Sequence, residues 1–183
     1  MEKKWWHHLT AYQIYTRSFC DSNGDGIGDF QGIISKLDYL QELGIGAIWI
    51  SPFNDSPNYD NGYDISDYYA ILKDFGTMAD LEEMIQECEK RDIIVMMDLV
   101  LNHCSHEHPW FLGACKDRNG KYHDYYIWEE GTEDQPPEGS AAFFGGNVWE
   151  WVPQVKEYYY HTFSIQQPDL NWKNENMRQE LYA

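Results

Sequence analysis

The segment that decides the fold is Ile93-Ile94-Val95-Met96-Met97-Asp98-Leu99-Val100, a nearly continuous apolar run that closes on Asn102-His103. Such a run is typical of a strand buried on both faces, as in a parallel sheet. A shorter run of the same kind, Ala47-Ile48-Trp49-Ile50, ends at Ser51-Pro52. Farther upstream, the aromatic and β-branched segment from Ala11 to Phe19 predicts another strand. The three runs predict a sheet of buried parallel strands.

Helical patterns separate these strands. The first consists of five apolar residues at helical spacing before a stop at Gly44: Ile33, Ile34, Leu37, Leu40 and Leu43. The second follows the capping sequence Thr77-Met78-Ala79-Asp80 and has one apolar face: Leu81, Met84, Ile85 and Cys88. The order strand, helix, strand, helix, strand predicts a βαβαβ arrangement of the α/β class.

Between His103 and Trp172 the periodicity fades, and Gly, Pro and aromatic residues dominate. This segment is too long for an ordinary connection, so we expect an inserted, irregular subdomain with its own small core. A helical pattern resumes at Asn174. The predicted domains are therefore 1–103, holding the strands, 104–172, the insertion, and 173–183, the start of the next helix.

The composition limits the classes of partner. The formal net charge of -18 argues against nucleic acid or an anionic membrane as partner. Hydrophobic residues make up 43% of the chain, yet no run approaches the roughly 18 apolar residues of a membrane span. The segment from Met1 to His8 has no apolar core typical of a signal peptide, so we expect a cytoplasmic protein. An export signal removed from an upstream segment is the alternative.

The loop from Asp21 to Asp29 has the composition of a cation-binding loop. Oxygen-bearing side chains stand at its positions 1, 3, 5 and 9, and Gly26 supplies the turn at position 6. Position 12 is Gly32, where a calcium-sensing EF-hand needs a bidentate Glu. The loop therefore predicts a structural Ca²⁺ (or Mg²⁺) site, with a metal-free loop of Asx turns as the alternative.

The histidines His103, His106 and His108 raise a second metal hypothesis, a zinc site with Glu107. Their spacing matches no common zinc motif, and Pro109 argues against a metal-binding helix at this place. The sequence therefore favours the loop at Asp21 over this cluster as the metal site.

The chain resembles the alpha-amylase superfamily, and within it the oligo-1,6-glucosidase and alpha-glucosidase branch. Six features in order carry the resemblance: Tyr12-Gln13-Ile14-Tyr15 with Arg17-Ser18-Phe19, Asp21 to Asp29, Ser51-Pro52, Asp55-Ser56-Pro57 with Asp60-Asn61-Gly62-Tyr63-Asp64, Asp98-Leu99-Val100-Leu101-Asn102-His103, and Gln167-Pro168-Asp169-Leu170-Asn171. The residues of the last feature, Gln167 to Asn171, are similar to those of relatives that act on α-1,6 linkages. The resemblance implies an incomplete (β/α)8 TIM barrel, namely its first three strand-helix units with an insertion after strand 3.

The resemblance also implies site residues. The metal ligands would be Asp21, Asn23, Asp25, the carbonyl of Ile27, and Asp29. The glucose pocket would include Asp60, which accepts sugar hydroxyls, Tyr63, which stacks beneath the ring, His103, which donates to a hydroxyl, and Asp98, which orients charged neighbours. Phe144 and Phe163 would form its walls, and Gln167 belongs to the same set.

The implied activity is retaining hydrolysis of terminal α-1,6 (or α-1,4) glucosidic bonds in small oligosaccharides of the isomaltose or maltose type. The family's nucleophile Asp follows Gly-Phe-Arg on the fourth strand, and its acid/base Glu follows on the fifth. Neither motif occurs here, so we expect no catalytic residue in this chain and no activity of the chain alone.

Other functions stay open. A maltase-like enzyme and a trehalose-6-phosphate hydrolase belong to the same branch, although residues 54–67 contain no Lys or Arg for a phosphate. A non-catalytic relative, such as the amylase-like ectodomain of a transporter subunit, is a second class. A small sugar- or calcium-binding module is a third.

Overall fold

The computed structural model describes residues 4–183. Met1 to Lys3, part of the segment expected to lack a signal peptide, lie outside the described residues. The strands are β1 (Ala11–Ile14), β2 (Ala47–Ile50), β3 (Asn54–Asp55), β4 (Asp67–Ile71), β5 (Ile94–Met97), β6 (Trp128–Glu130), β7 (Trp149–Val152) and β8 (Glu157–Tyr160). The α-helices are α1 (Thr16–Phe19), α2 (Phe30–Ile34), α3 (Leu37–Glu42), α4 (Met78–Glu89), α5 (Pro109–Ala114) and α6 (Glu175–Tyr182).

The chain forms two compact units. The first contains the residues up to Asp55 together with Tyr68–Leu99, and the second contains Ser56–Asp67 together with Val100–Ala183. Residues 56–67 thus group with the second unit. The domains predicted from the sequence, 1–103, 104–172 and 173–183, are parts of a complete barrel protein, and this division stays a prediction. Within residues 4–183, no helix has both the length and the apolar character needed to cross a membrane.

The first unit contains the predicted parallel sheet. Its strand order is β1-β2-β5, and both neighbouring pairs are parallel, with Ile48 opposite Tyr12 on one side and Val95 on the other. Helices α2, α3 and α4 pack against it and share one core that includes Ile14, Phe30 and Met84. The α/β class and the parallel βαβαβ order are confirmed.

Two predicted elements of this unit are shorter than expected. The strand predicted to continue to Phe19 ends at Ile14, because its partner β2 ends at Ile50 and Thr16–Phe19 turns into α1. The single helix predicted from Ile33 is divided into α2 and α3, and the Ser35 hydroxyl donates to the Gly32 carbonyl at the break.

The third strand is less buried than its apolar run predicts, as expected for a sheet that does not close into a barrel. Ile94, Met96 and Met97 of β5 are exposed. Met96 lies in register with Trp49 of β2 and Gln13 of β1, which are exposed too, so one face of the sheet is uncovered. On α4 the capping box of Thr77 and Asp80 is confirmed. Its predicted apolar face is buried except for Ile85, which is 39% exposed.

The second unit has an antiparallel sheet of order β6-β8-β7. An aromatic core surrounds it, in which Phe111 contacts Tyr126 and Tyr159 edge to face. The predicted last helix is confirmed as α6, which begins after Asn174, whose side chain accepts a hydrogen bond from the Met177 N–H.

Candidate functional site

The loop of residues 58–64 is shaped by the buried carboxylate of Asp64. Its two oxygens accept the backbone N–H groups of Tyr59 and Asp60, each at 2.9 Å. Asn61 and Gly62 have φ angles of +52° and +93°, so the chain turns tightly and the Tyr63 N–H donates to the Asp60 carbonyl. The backbone of this loop thus fixes the positions from which the side chains of Asp60 and Tyr63 project.

Three of the predicted sugar-binding residues meet in the second unit. Gln167 Nε2 donates to Asp60 Oδ2 at 2.8 Å and lies 3.1 Å from His103 Nε2. His103 Nε2 lies 2.9 Å from the carbonyl oxygen of Tyr63. A carboxylate, a carboxamide and an imidazole therefore form one connected group, which we name the Asp60–His103–Gln167 cluster.

The protonation of His103 follows from its neighbours. His103 Nε2 faces the Tyr63 carbonyl at 2.9 Å and the Gln167 amide nitrogen at 3.1 Å; the carbonyl can only accept, so the shorter contact favours a hydrogen on Nε2. Asn102 Nδ2 lies 3.3 Å from the other ring nitrogen, which then accepts. Burial lowers the pKa of His103 from its ordinary value of 6.5, although the carboxylates of Asp169, Asp60 and Asp64 act in the opposite direction. The contacts and the direction of the pKa shift both favour a neutral His103 imidazole at neutral pH.

Aromatic rings border this cluster. Phe163 contacts the His103 ring edge to face, with 5.2 Å between centroids. Phe144 and Phe143 pack against Phe163 at 6.1 Å and 5.6 Å, and both are largely exposed. The predicted wall residues Phe144 and Phe163 thus lie together, and they offer an apolar surface next to polar groups.

Two further residues were predicted for the pocket, Tyr63 and Asp98. Tyr63 is half-buried and belongs to the loop that carries Asp60. Asp98 belongs to the first unit, directly after β5, where its backbone N–H donates to the Ile50 carbonyl at 3.2 Å. Of the histidines considered for zinc, His103 Nε2 faces the Tyr63 carbonyl, and His108 Nδ1 accepts the Trp110 N–H at 3.1 Å.

The predicted metal loop is a series of Asx turns in the first unit. Asp21 accepts three backbone N–H groups, from Asn23, Gly24 and Gly26, and these bonds lower the pKa of its carboxyl group. Asn23 and Asp25 each accept from the residue two positions later. Gly24 and Gly26 have φ near +85° and +88°, as this tight winding requires.

The donor set of this loop is compatible with a hard cation. Each oxygen of a carboxylate has two lone pairs, so an oxygen that accepts an N–H can still bind a metal ion. Among residues 4–183, no three His, Cys, Asp or Glu side chains by themselves form a group that could hold a metal ion. The loop would have to combine its carboxylates with the amide oxygen of Asn23 and the carbonyl of Ile27.

Three residues with a structural part in the site were not singled out by the sequence. Asp64 holds the loop backbone, Ser164 donates its hydroxyl to Gln167 Oε1 at 3.0 Å, and Phe143 adds a third ring beside Phe163. Asp64 accepts from residues that precede it by four and five positions, so the usual Asx-turn pattern, in which the acceptor comes first, does not predict it. Ser164 lies three residues before Gln167, at the spacing of a local turn, whereas Phe143 contacts a ring that is distant in the sequence.

Comparison with known proteins shows which family the chain belongs to. The family model "Alpha amylase, catalytic domain" matches residues 13–183. The oligo-1,6-glucosidase of Bacillus cereus is 57% identical over 182 residues, and the glucan 1,6-alpha-glucosidase of Streptococcus pneumoniae is 53% identical over 182 residues. Each alignment covers 100% of this chain and 33% of the relative.

Solved structures agree with the sequence comparison. The isomaltulose synthase of Klebsiella sp. LX3 superposes with a TM-score of 0.97 at 52% identity, covering 100% of this chain and 33% of that one. The trehalose-6-phosphate hydrolase of Bacillus licheniformis superposes with a TM-score of 0.94 at 48% identity, covering 98% and 33%. The chain thus spans about a third of the length of the relatives that it matches. By its matched sequence and its fold, the chain belongs to the alpha-amylase family.

Proposed function

We propose that this chain is the N-terminal part of a retaining α-glucosidase that hydrolyses terminal α-1,6 (or α-1,4) glucosidic bonds of small oligosaccharides. The observation that carries the proposal is the Asp60–His103–Gln167 cluster beside Phe163. Carboxylate and imidazole groups form directional hydrogen bonds to sugar hydroxyls, and aromatic rings pack against the apolar faces of sugar rings. The preference for α-1,6 bonds is supported by the names of two relatives at 57% and 53% identity.

In this proposal the predicted residues keep their roles. Asp60 accepts sugar hydroxyls, the ring of Tyr63 lies beneath the sugar, and His103 hydrogen-bonds to a hydroxyl. Phe144 and Phe163 form an apolar wall, and Asp98 orients charged groups. The parallel strands β1, β2 and β5 correspond to the first three strands of a (β/α)8 barrel, and the catalytic carboxylates belong to later strands.

We also propose a structural Ca²⁺ (or Mg²⁺) ion at the loop of Asp21 to Asp29. Its ligands would be Asp21, Asn23, Asp25, the Ile27 carbonyl and Asp29. The oxygen-only donor set supports a hard cation rather than zinc. Asp29 also caps α2 through the Gly32 N–H, so a bound ion would brace the start of that helix.

Glucose release tests the proposed activity. The first step is to read the coding sequence after the Ala183 codon, where we expect a strand carrying Gly-Phe-Arg-x-Asp. The corresponding longer protein should release glucose from isomaltose with retention of configuration, and the 183-residue chain should release none. In the longer protein, Asp60→Asn should lower kcat/KM by about tenfold or more, since a charged acceptor becomes a neutral amide.

The matched control for that substitution is Asp117→Asn, since it removes the same charge from an exposed turn that lies outside the cluster. Glucose release by the 183-residue chain itself would contradict the assignment of catalysis to later strands. A longer protein that hydrolyses neither isomaltose nor maltose would overturn the proposed activity.

A further inference from the structure

The carboxamide of Gln167 is 0% exposed and has one fixed orientation. The Ser164 hydroxyl donates to Oε1, from a turn in which the Gln167 N–H donates to the Ser164 carbonyl at 2.9 Å. At the other end, Nε2 donates to Asp60 Oδ2. A carboxylate only accepts hydrogen bonds, so a reversed amide would place two oxygens in contact. The amide nitrogen therefore faces Asp60 and His103.

With this orientation, Gln167 gives the His103 ring no acceptor, and Asn102 disfavours a hydrogen on the other ring nitrogen. Gln167 Nε2 faces one ring nitrogen at 3.1 Å, and Asn102 Nδ2 faces the other at 3.3 Å. Both amide nitrogens carry hydrogens, so an imidazolium would meet donors at both of its N–H groups. A neutral ring carries no hydrogen on Nδ1, so it avoids the contact between two donors on the Asn102 side. Its single hydrogen, on Nε2, is accepted by the Tyr63 carbonyl at 2.9 Å.

We propose that Gln167 is a positioning residue of the site rather than a direct ligand of the sugar. It holds Asp60 Oδ2, which leaves the other carboxylate oxygen to a hydroxyl, and it offers the His103 ring no acceptor that would favour the charged form. An imidazolium would attract the Asp60 carboxylate and compete with the sugar for it. The inference rests on the proposed sugar-binding roles of Asp60 and His103. The contact with Gln167 orients the Asp60 carboxylate before the sugar binds.

The test compares Gln167→Glu with Gln166→Glu in the 183-residue chain. Both variants add one negative charge, and Gln166 is the half-buried neighbour. Nitrogen-15 NMR of the imidazole reports the tautomer and the pKa of His103. A carboxylate in place of the Gln167 amide should raise the pKa of His103 by about one unit or more, because it accepts an imidazolium N–H. Gln166→Glu should raise it much less.

Thermal unfolding gives a second readout. A carboxyl group at position 167 faces Asp60, so the pair should share one proton and the pKa of the new group should be raised in the folded state. The melting temperature of Gln167→Glu should therefore lie below that of Gln166→Glu at pH 7. The difference should shrink as the pH falls towards about 4.3, since the protonated acid again donates to Asp60.

The wild-type chain provides a further test that needs no substitution. At pH 7, His103 should show a neutral ring with its hydrogen on Nε2. An imidazolium at pH 7, a hydrogen on Nδ1, or equal pKa changes in the two variants would overturn the inference. Every readout is taken without sugar, so a longer protein that fails to hydrolyse isomaltose would overturn only the proposed function.

Discussion

At the residue scale, His108 shows how burial and capping combine in one side chain. It is almost fully buried, and its Nδ1 accepts the Trp110 N–H at the start of α5. Its ring packs against the Trp110 ring at 4.5 Å between centroids. Removal from water lowers the pKa of His108 from 6.5 to about 4, and the charge of Asp67 offsets part of this.

The lowered pKa of His108 predicts a loss of stability in mild acid. Between pH 6.5 and about 4 the unfolded chain binds a proton that the folded chain does not, so the free energy of unfolding falls as the pH falls. His108→Asn retains an acceptor for the cap and removes the titration. Between pH 6.5 and about 4, we expect the unfolding free energy of the variant to fall by roughly 1–3 kcal/mol less than that of the wild type. Urea unfolding measures this difference.

The control for His108 is His8→Asn, since His8 is exposed and lies outside the strands. This variant should follow the wild-type pH dependence. If His108→Asn and the wild type lose stability in parallel, the acid sensitivity arises elsewhere.

Gly32 is a second residue with a predictable effect. A Cβ atom at this helical position would lie 1.8 Å from the backbone oxygen of Cys20, which cannot move alone. Gly32→Ala should therefore destabilise the chain by about 2 kcal/mol or more, despite the helix preference of Ala. Gly113→Ala is the matched control, because its Cβ would meet only the ring of Tyr122, at 2.9 Å. Equal melting temperatures of the two variants would contradict this account.

At the element scale, β5 carries the main irregularity of the first unit. Its residues Ile94, Met96 and Met97 are exposed on a strand at the end of the sheet. An edge strand with apolar side chains offers unpaired backbone groups next to apolar surface, which favours association. The 183-residue chain should therefore self-associate at micromolar to millimolar concentrations.

Met97→Lys should reduce this self-association, because a charge on an edge strand opposes the pairing of two strands. Met97 is 51% exposed, and Met78 at the start of α4 is 47% exposed, so Met78→Lys is the control. Sedimentation velocity measures the outcome. A monomeric wild-type chain, or an equal effect of both substitutions, would show that β5 does not drive association.

At the scale of the whole molecule, the proposed metal ion predicts a dependence of stability on calcium. A ligand that binds only the folded chain raises the unfolding free energy by about 2.7 kcal/mol at a concentration 100 times its Kd. For a chain of this size, that corresponds to a rise in Tm of about 5 °C or more. Removal of calcium with a chelator should reverse the rise, as measured by calorimetry.

The variant for the calcium prediction is Asp25→Asn, which keeps the acceptor for the Ile27 N–H and removes one negative charge. It should show a smaller rise in Tm. Asp117→Asn removes the same charge from an Asx turn in the second unit and should respond to calcium like the wild type. A wild-type Tm that calcium leaves unchanged would contradict the proposed metal site.

The sequence by itself determined the features that depend on neighbouring residues. The parallel order of β1, β2 and β5 follows from apolar runs that alternate with helical patterns, and the capping box at Thr77 and Asp80 is a local interaction. The start of α6 at Asn174 is another local signal. These features were predictable because propensity, periodicity and capping act over a few residues.

The tertiary structure alone decided the features that depend on distant partners. β1 ends where β2 ends, and one face of the sheet is uncovered at Gln13, Trp49 and Met96. Gln167 binds Asp60, 107 positions earlier in the chain, and the same amide borders His103. Hydrogen bonds across such separations depend on packing that brings remote segments together. Motifs could therefore suggest which residues matter, but only the fold decides which atoms meet.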